Sequence, residues 1–168
     1  GQRYFVKFAG APTEQFGGDP ADAISRLKAT LPIYSDLKHE NLIELIEAKE
    51  IGDGFAMVFK WADSDCMGRM YPAAYRRFIQ LPINDRLAVF SDILSFLECV
   101  ASRKYVAIDF YDGSIMYDFA NGKTTICDID LFHKQPCVND MGRMWGSSRF
   151  QSPEEYQLGA DIDEITNV

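Results

Sequence analysis

Two acidic stretches mark where this chain could do chemistry. "YVAIDFYDGSIMYDF", residues 105–119, carries Asp109 among apolar and aromatic neighbours, and "CDID", residues 127–130, sets Asp128 and Asp130 two residues apart. A carboxylate such as Asp109 can accept a proton from an attacking hydroxyl. An isolated Asp more often caps a turn. Asp128 offers a hard oxygen ligand for a divalent cation, and Asp130 either adds a second one or is a solvated turn residue. A third charged residue, Lys7, lies in "RYFVKFAG" between Phe5, Val6 and Phe8. Taken alone, it reads as an edge-strand lysine facing water.

The elements that must hold these residues are legible in outline. "RYFVKFAG" is rich in strand formers and ends at Gly10, so it reads as a β-strand. "DPADAISRLKATL" has an acidic start, a proline at a first helical position and Ile24, Leu27 and Leu31 at helical spacing, which predicts a helix from about Pro20. "NLIELIEAKEI" and "GFAMVFKW" flank Gly52, Asp53 and Gly54, a hairpin signal. After Trp61, "ADSDCMGRMYP" is polar and turn-rich and reads as a hinge. "INDRLAVFSDILSFLECVASRKY" predicts an amphipathic helix capped by Asn84 or Asp85, with Leu87, Phe90, Leu94 and Leu97 on one face. Two short strands around Ser114–Tyr117 and Thr124–Cys127 are joined through Asn121-Gly122, again a hairpin turn. From Leu131 to Phe150 no period is visible.

Composition excludes several classes. The 168 residues are 47% apolar, and 25 acidic against 17 basic side chains give a net charge of −8. This argues for a globular domain and against a general nucleic-acid or anionic-membrane binder. The four cysteines have no CxxC spacing and there are two histidines, which argues against a zinc site or disulfide framework and for reduced thiols in a cytoplasmic protein. No apolar run approaches the roughly 20 residues of a membrane span, and no charged-then-apolar leader opens the chain.

The order of these signals resembles the protein kinase family over nearly the whole chain. "YFVKF" is similar to the family's lysine strand, "LKHENLIEL" resembles its link from helix C to strand four, and "AIDFYDGSIMYD" resembles its catalytic loop. "TTICDIDLF" and "GSSRFQSPEE" are similar to its metal loop and the end of its activation segment. The resemblance implies an α+β, two-lobed kinase-like fold incomplete at both ends, with residues 1–61 as a partial small lobe and 62–168 as the hinge and partial large lobe. It implies ATP and Mg as cofactors and a protein hydroxyl as acceptor, without a role for nucleic acid or membrane. Lys7 would hold the α- and β-phosphates, Asp109 would be the base, and Asp128 would hold Mg with Ser114 or Asp130. Phe59 would be the gatekeeper, Lys60 to Ala62 the backbone facing adenine, and Asp65 a ribose partner. His39 and Asn41 serve as registration marks without chemistry.

Several positions depart from the family pattern. The glutamate that pairs with the lysine falls at Thr30, and residues 15–39 contain no Glu, so either the helix is shifted or another group holds Lys7. The arginine before the base is Ile108, which implies that activation-segment phosphorylation is not needed. The loop lysine is Tyr111 and the metal-binding Asn is Ser114. A glycine-rich loop would have to precede Gly1, and "GADIDEITNV" resembles the approach to a central helix, so the resemblance places both outside this sequence and implies that the isolated chain is inactive. The expected activity is that of a serine/threonine protein kinase-like phosphotransferase. The alternative is a pseudokinase acting as a nucleotide-binding or protein-interaction module. A small-molecule kinase is disfavoured by "SPEE".

Overall fold

The computed structural model describes residues 1–11 and 18–167. Val168, the last residue of "GADIDEITNV", lies outside the described residues. The architecture is α+β. A three-stranded antiparallel sheet is built from β1 (Tyr4–Ala9), β2 (Leu45–Ile51) and β3 (Gly54–Lys60), with β3 in the middle. β3 is buried along nearly its whole length because it is covered on both edges, whereas β1 is an edge strand with Phe5, Val6 and Phe8 exposed. The β2–β3 turn is made at Gly52, whose φ of 59° is natural for glycine.

Between β1 and β2 run α1 (Pro20–Ala29) and α2 (Leu31–Asp36). α1 begins as its sequence predicts, with the Asp19 side chain accepting from the Ala21 N–H and proline in the first turn. Thr30 stands at the junction, and Pro32 lies in the first turn of the second helix.

The polar stretch after Trp61 is less uniform than a hinge. It contains β4 (Asp65–Cys66) and leads into α3 (Pro72–Ile79), a short helix that starts on a proline and was not anticipated from the sequence. α4 spans Ile83–Ser102. Its cap is Pro82, whose carbonyl accepts from the N–H groups of Asp85 and Arg86, so Asn84 and Asp85 lie inside the first turn instead of capping it.

The buried face of α4 is also not the expected one. Val89, Phe96 and Val100 are buried, while Leu87, Phe90 and Leu94 are exposed. The helix carries apolar residues on nearly every side, so two different stripes satisfy the same period, and the strands that follow α4 pack on the Val89–Phe96–Val100 stripe. β5 (Tyr105–Val106) follows α4, and β6 (Ile115–Asp118) and β7 (Lys123–Ile126) form the second predicted hairpin, with Gly122 at φ 66° in its turn. β4 pairs with β6, giving the order β4-β6-β7.

The segment without a sequence period holds short strands: β8 (His133–Lys134) pairs with β5, and β9 (Cys137–Val138) pairs with β10 (Asp161–Ile162). The two main sheets are stitched through residues 41–43. The Ile126 N–H donates to Asn41 O at 2.6 Å, the Ile43 N–H donates to Ile126 O at 2.8 Å, and the buried Asn41 side chain donates to Thr124 O at 3.3 Å. The central core runs across this seam, from Ile33, Leu37, Met57 and Phe59 to Phe96, Ile126 and Ile129. Among the described residues no helix is long and apolar enough to cross a membrane.

Candidate functional site

Lys7 is not turned to water. It sits on β1 opposite Met57, and its side chain, 19% exposed, crosses to the loop after β7. There Nζ donates to Asp128 Oδ1 and to Asp130 Oδ2, each at 2.7 Å. Burial alone would lower the lysine's pKa, but the bonds to the two carboxylates outweigh it and hold the ammonium above its ordinary value. The loop is tethered from behind, because β7 ends in the core at Ile126 and Ile129 is fully buried. Asp128 adopts a φ of 57°, a left-handed conformation that Asp tolerates better than most residues.

Asp130 has a second partner. Its Oδ1 accepts from the hydroxyl of Tyr34 at 2.7 Å. Tyr34 is 4% exposed on α2, with its ring 5.1 Å from that of Phe59. Burial and the neighbouring Asp130 charge push its hydroxyl far above the usual tyrosine range, so it remains a donor. The expected glutamate position, Thr30, supplies no charge: its hydroxyl donates to Leu27 O at 2.8 Å and faces Met57 Sδ.

Asp109 follows β5 and also has left-handed backbone, with φ 58°. Burial raises its carboxyl pKa, the backbone N–H of Ser147 pulls in the other direction, and the charge of Asp128 raises it again. That combination, a partly desolvated carboxylate beside another negative charge, favours proton uptake. Asp109 opens into a cleft of about 470 Å³ shared with Arg26, Tyr111, Leu131, Trp145, Gly146 and Ser147. Tyr111 lies over Gly113, where a Cβ would fall 2.4 Å from the tyrosine ring, so a larger residue there would require the ring to shift.

Ser114 closes the short turn Asp112–Ser114 that leads into β6. Its carbonyl accepts from the Cys127 N–H at 2.8 Å, which sets it beside Asp128. Its hydroxyl is fully buried and has no hydrogen-bond partner among the described residues. Such an orphaned oxygen is costly unless something else uses it.

The segment carrying Ser147 is clamped by apolar packing and by one ion pair. Ile108 clusters with Val106, Cys137, Met144 and Ile162, and Arg149 donates to Asp112 Oδ2 at 2.5 Å. Asn139 is fully buried and satisfies both ends of its amide, donating to Gly142 O and Glu154 O and accepting from the N–H groups of Met141 and Gly142. Neither Asn139 nor the Arg149–Asp112 pair stands out in the sequence, because buried amides and ion pairs leave no periodic trace. Tyr34 lies beyond the helix predicted from Pro20, and nothing local marks its bond to Asp130.

The remaining predicted residues are more scattered. Phe59 is in the core and 1% exposed. The Lys60 N–H is already donated to Glu44 O at 2.9 Å, and its ammonium meets Glu44 on the surface. Asp65 accepts from Arg77 at 3.0 Å. Ala62 lines a cleft of about 780 Å³ with Trp61, Lys38, His39, Glu44 and Asn121. This cleft touches none of Lys7, Asp109 or Asp128, so it is separate from the cluster of charged candidate residues. Among the described residues no three His, Cys, Asp or Glu side chains converge to hold a metal ion. No protein-family model matches the chain, and no curated protein is similar enough to it to count as a relative.

Proposed function

We propose that the chain is the phosphate-handling part of a protein kinase-like fold and serves ATP-dependent phosphate transfer to a protein hydroxyl. The observation that carries this reading is the contact of Lys7 with Asp128, 121 residues apart, at 2.7 Å. A cation that can neutralise phosphate and a carboxylate that can hold a metal are thereby presented together, with Asp109 close enough to be shifted by the Asp128 charge.

The residues present fit a magnesium ion, which Asp128 would hold with the help of Ser114. Asp128 offers a hard carboxylate oxygen, and Ser114, whose carbonyl is bonded to the N–H of the preceding Cys127, has a hydroxyl otherwise without a partner among the described residues. Magnesium typically takes one or two carboxylates and leaves its other positions to phosphate and water, so a cluster of three acidic side chains is not required. Bound there, the ion would neutralise charge on the phosphate oxygens. Asp130 is already engaged through both oxygens by Tyr34 and Lys7 and is assigned a different role below.

The chain's own residues would then act as follows. Asp109 orients the acceptor hydroxyl and takes its proton, helped by a carboxyl pKa that burial holds above the ordinary aspartate value. Lys7 releases Asp128 to meet the phosphates. The Ile108 cluster holds the 137–162 segment against the Asp109 loop by apolar packing, in a position where a phosphate-reading arginine would need a modified residue.

The test is phosphate transfer to a generic protein acceptor by the full-length protein at saturating Mg·ATP, with Asp109→Asn as control. Transfer that Asp109→Asn abolishes supports the reading. Equal background from both proteins overturns it, and nucleotide binding that persists in an inactive wild type points instead to a pseudokinase.

A further inference from the structure

We infer that Tyr34 and Asp130 are the positioning residues that hold Lys7, in place of a helix-borne glutamate. The inference rests on the phosphotransfer reading for its functional meaning and on geometry for its substance. Lys7 Nζ has two carboxylate partners at equal distance, but they differ in how firmly each is held. The Asp128 side chain is 54% exposed, whereas that of Asp130 is 27% exposed. Asp130 is fixed from its other oxygen by Tyr34, whose ring is locked in the core against Phe59. Asp128 is therefore the partner that Lys7 exchanges for a phosphate, and Asp130 is the one it keeps.

The arrangement also changes what the helices do. A glutamate on a helix would make the lysine's position depend directly on where that helix lies. Here α2 contributes a neutral hydroxyl, and the charge comes from the loop that carries Asp128. The lysine, its anchor and the metal-side carboxylate are thus joined through the β7 loop, with Tyr34 as the brace. Net charge favours the same division: one ammonium shared by two carboxylates leaves one negative charge over, which a cation on Asp128 would balance.

The test uses the full chain with Tyr34→Phe, Asp130→Asn and Lys7→Met. Tyr34→Phe keeps the buried ring and removes only the hydroxyl. Mg·ADP affinity should fall about tenfold in Tyr34→Phe, the size of one lost hydrogen bond to a charged group. The same change made in the Lys7→Met background should cost nothing further. An equal loss in both backgrounds would mean that Tyr34 acts through packing alone and would overturn the inference.

A second measurement does not depend on nucleotide. The rate at which acetic anhydride modifies Lys7 in the native protein, read by peptide mass, should rise severalfold in Tyr34→Phe and in Asp130→Asn. Unchanged rates in both variants overturn the anchor. If the wild type fails to bind Mg·ADP while the acylation rates respond as expected, the nucleotide reading fails and the anchor stands.

Discussion

Replacing Ser114 by alanine should stabilise the protein while weakening the magnesium binding proposed above. The residue is fully buried, and its hydroxyl finds no partner among the described residues. An unsatisfied buried polar group costs roughly 1–3 kcal/mol. Against that, removing one oxygen forfeits a handful of dispersion contacts at about 0.1–0.2 kcal/mol each. The backbone of the turn is unaffected, since the Ser114 carbonyl keeps its bond from Cys127. The net gain should be about 1 kcal/mol, which for a chain of this length raises Tm by about 2–4 °C. The assay is thermal or urea unfolding of both proteins in chelator, followed by titration with Mg·ADP. In chelator Ser114→Ala should be the more stable protein, and with nucleotide it should gain less stabilisation than the wild type. A variant that is less stable without metal would show that the hydroxyl is bonded after all, and the argument for Ser114 as an idle ligand would collapse.

Three further outcomes follow from named contacts. The folded pKa of Asp109 lies above its unfolded value, so its favourable contribution is full below about pH 3.8 and is lost as pH rises through the folded value. Asp109→Asn should therefore raise Tm at pH 7 while abolishing transfer, and the advantage should shrink as both proteins are taken to about pH 4; a variant that loses stability at pH 7 would refute the cost assigned to this carboxylate. Asn139→Ala strips four hydrogen bonds from the loop that carries Ser147 and should cost about 2–4 kcal/mol in urea unfolding, with proteolysis appearing first between residues 140 and 155. Burial pushes the Cys127 thiol up to about 12, so roughly 1 part in 100,000 is thiolate at pH 7, and iodoacetamide should leave it unmodified until the protein unfolds; rapid alkylation of the native protein would mean that the loop beside Asp128 is open.

How much of the molecule was legible depended on whether the signal was local. β1, α1, both hairpins and the long helix α4 were all visible, because turn dipeptides, proline positions and apolar period act within a few residues. α3 was hidden in a polar, turn-rich stretch, and the cap of α4 was misplaced because Pro82 competes with Asn84 and Asp85 for the same role. The face of α4 could not be chosen from a sequence that is apolar on almost every side; the strands packed against it chose it.

The candidate site divides in the same way. The amino-acid sequence by itself determined that Lys7, Asp109, Asp128 and Asp130 lie in short motifs in a definite order, and that residues 15–39 contain no glutamate to pair with the lysine. Only the tertiary structure decided that Lys7 turns inward, that Asp130 and not a helix residue holds it, and that Tyr34 braces the pair. The physical reason is range. Periodicity and turn chemistry are written into neighbouring residues, whereas a hydrogen bond between side chains 96 or 123 positions apart exists only once the sheets and helices have closed around it.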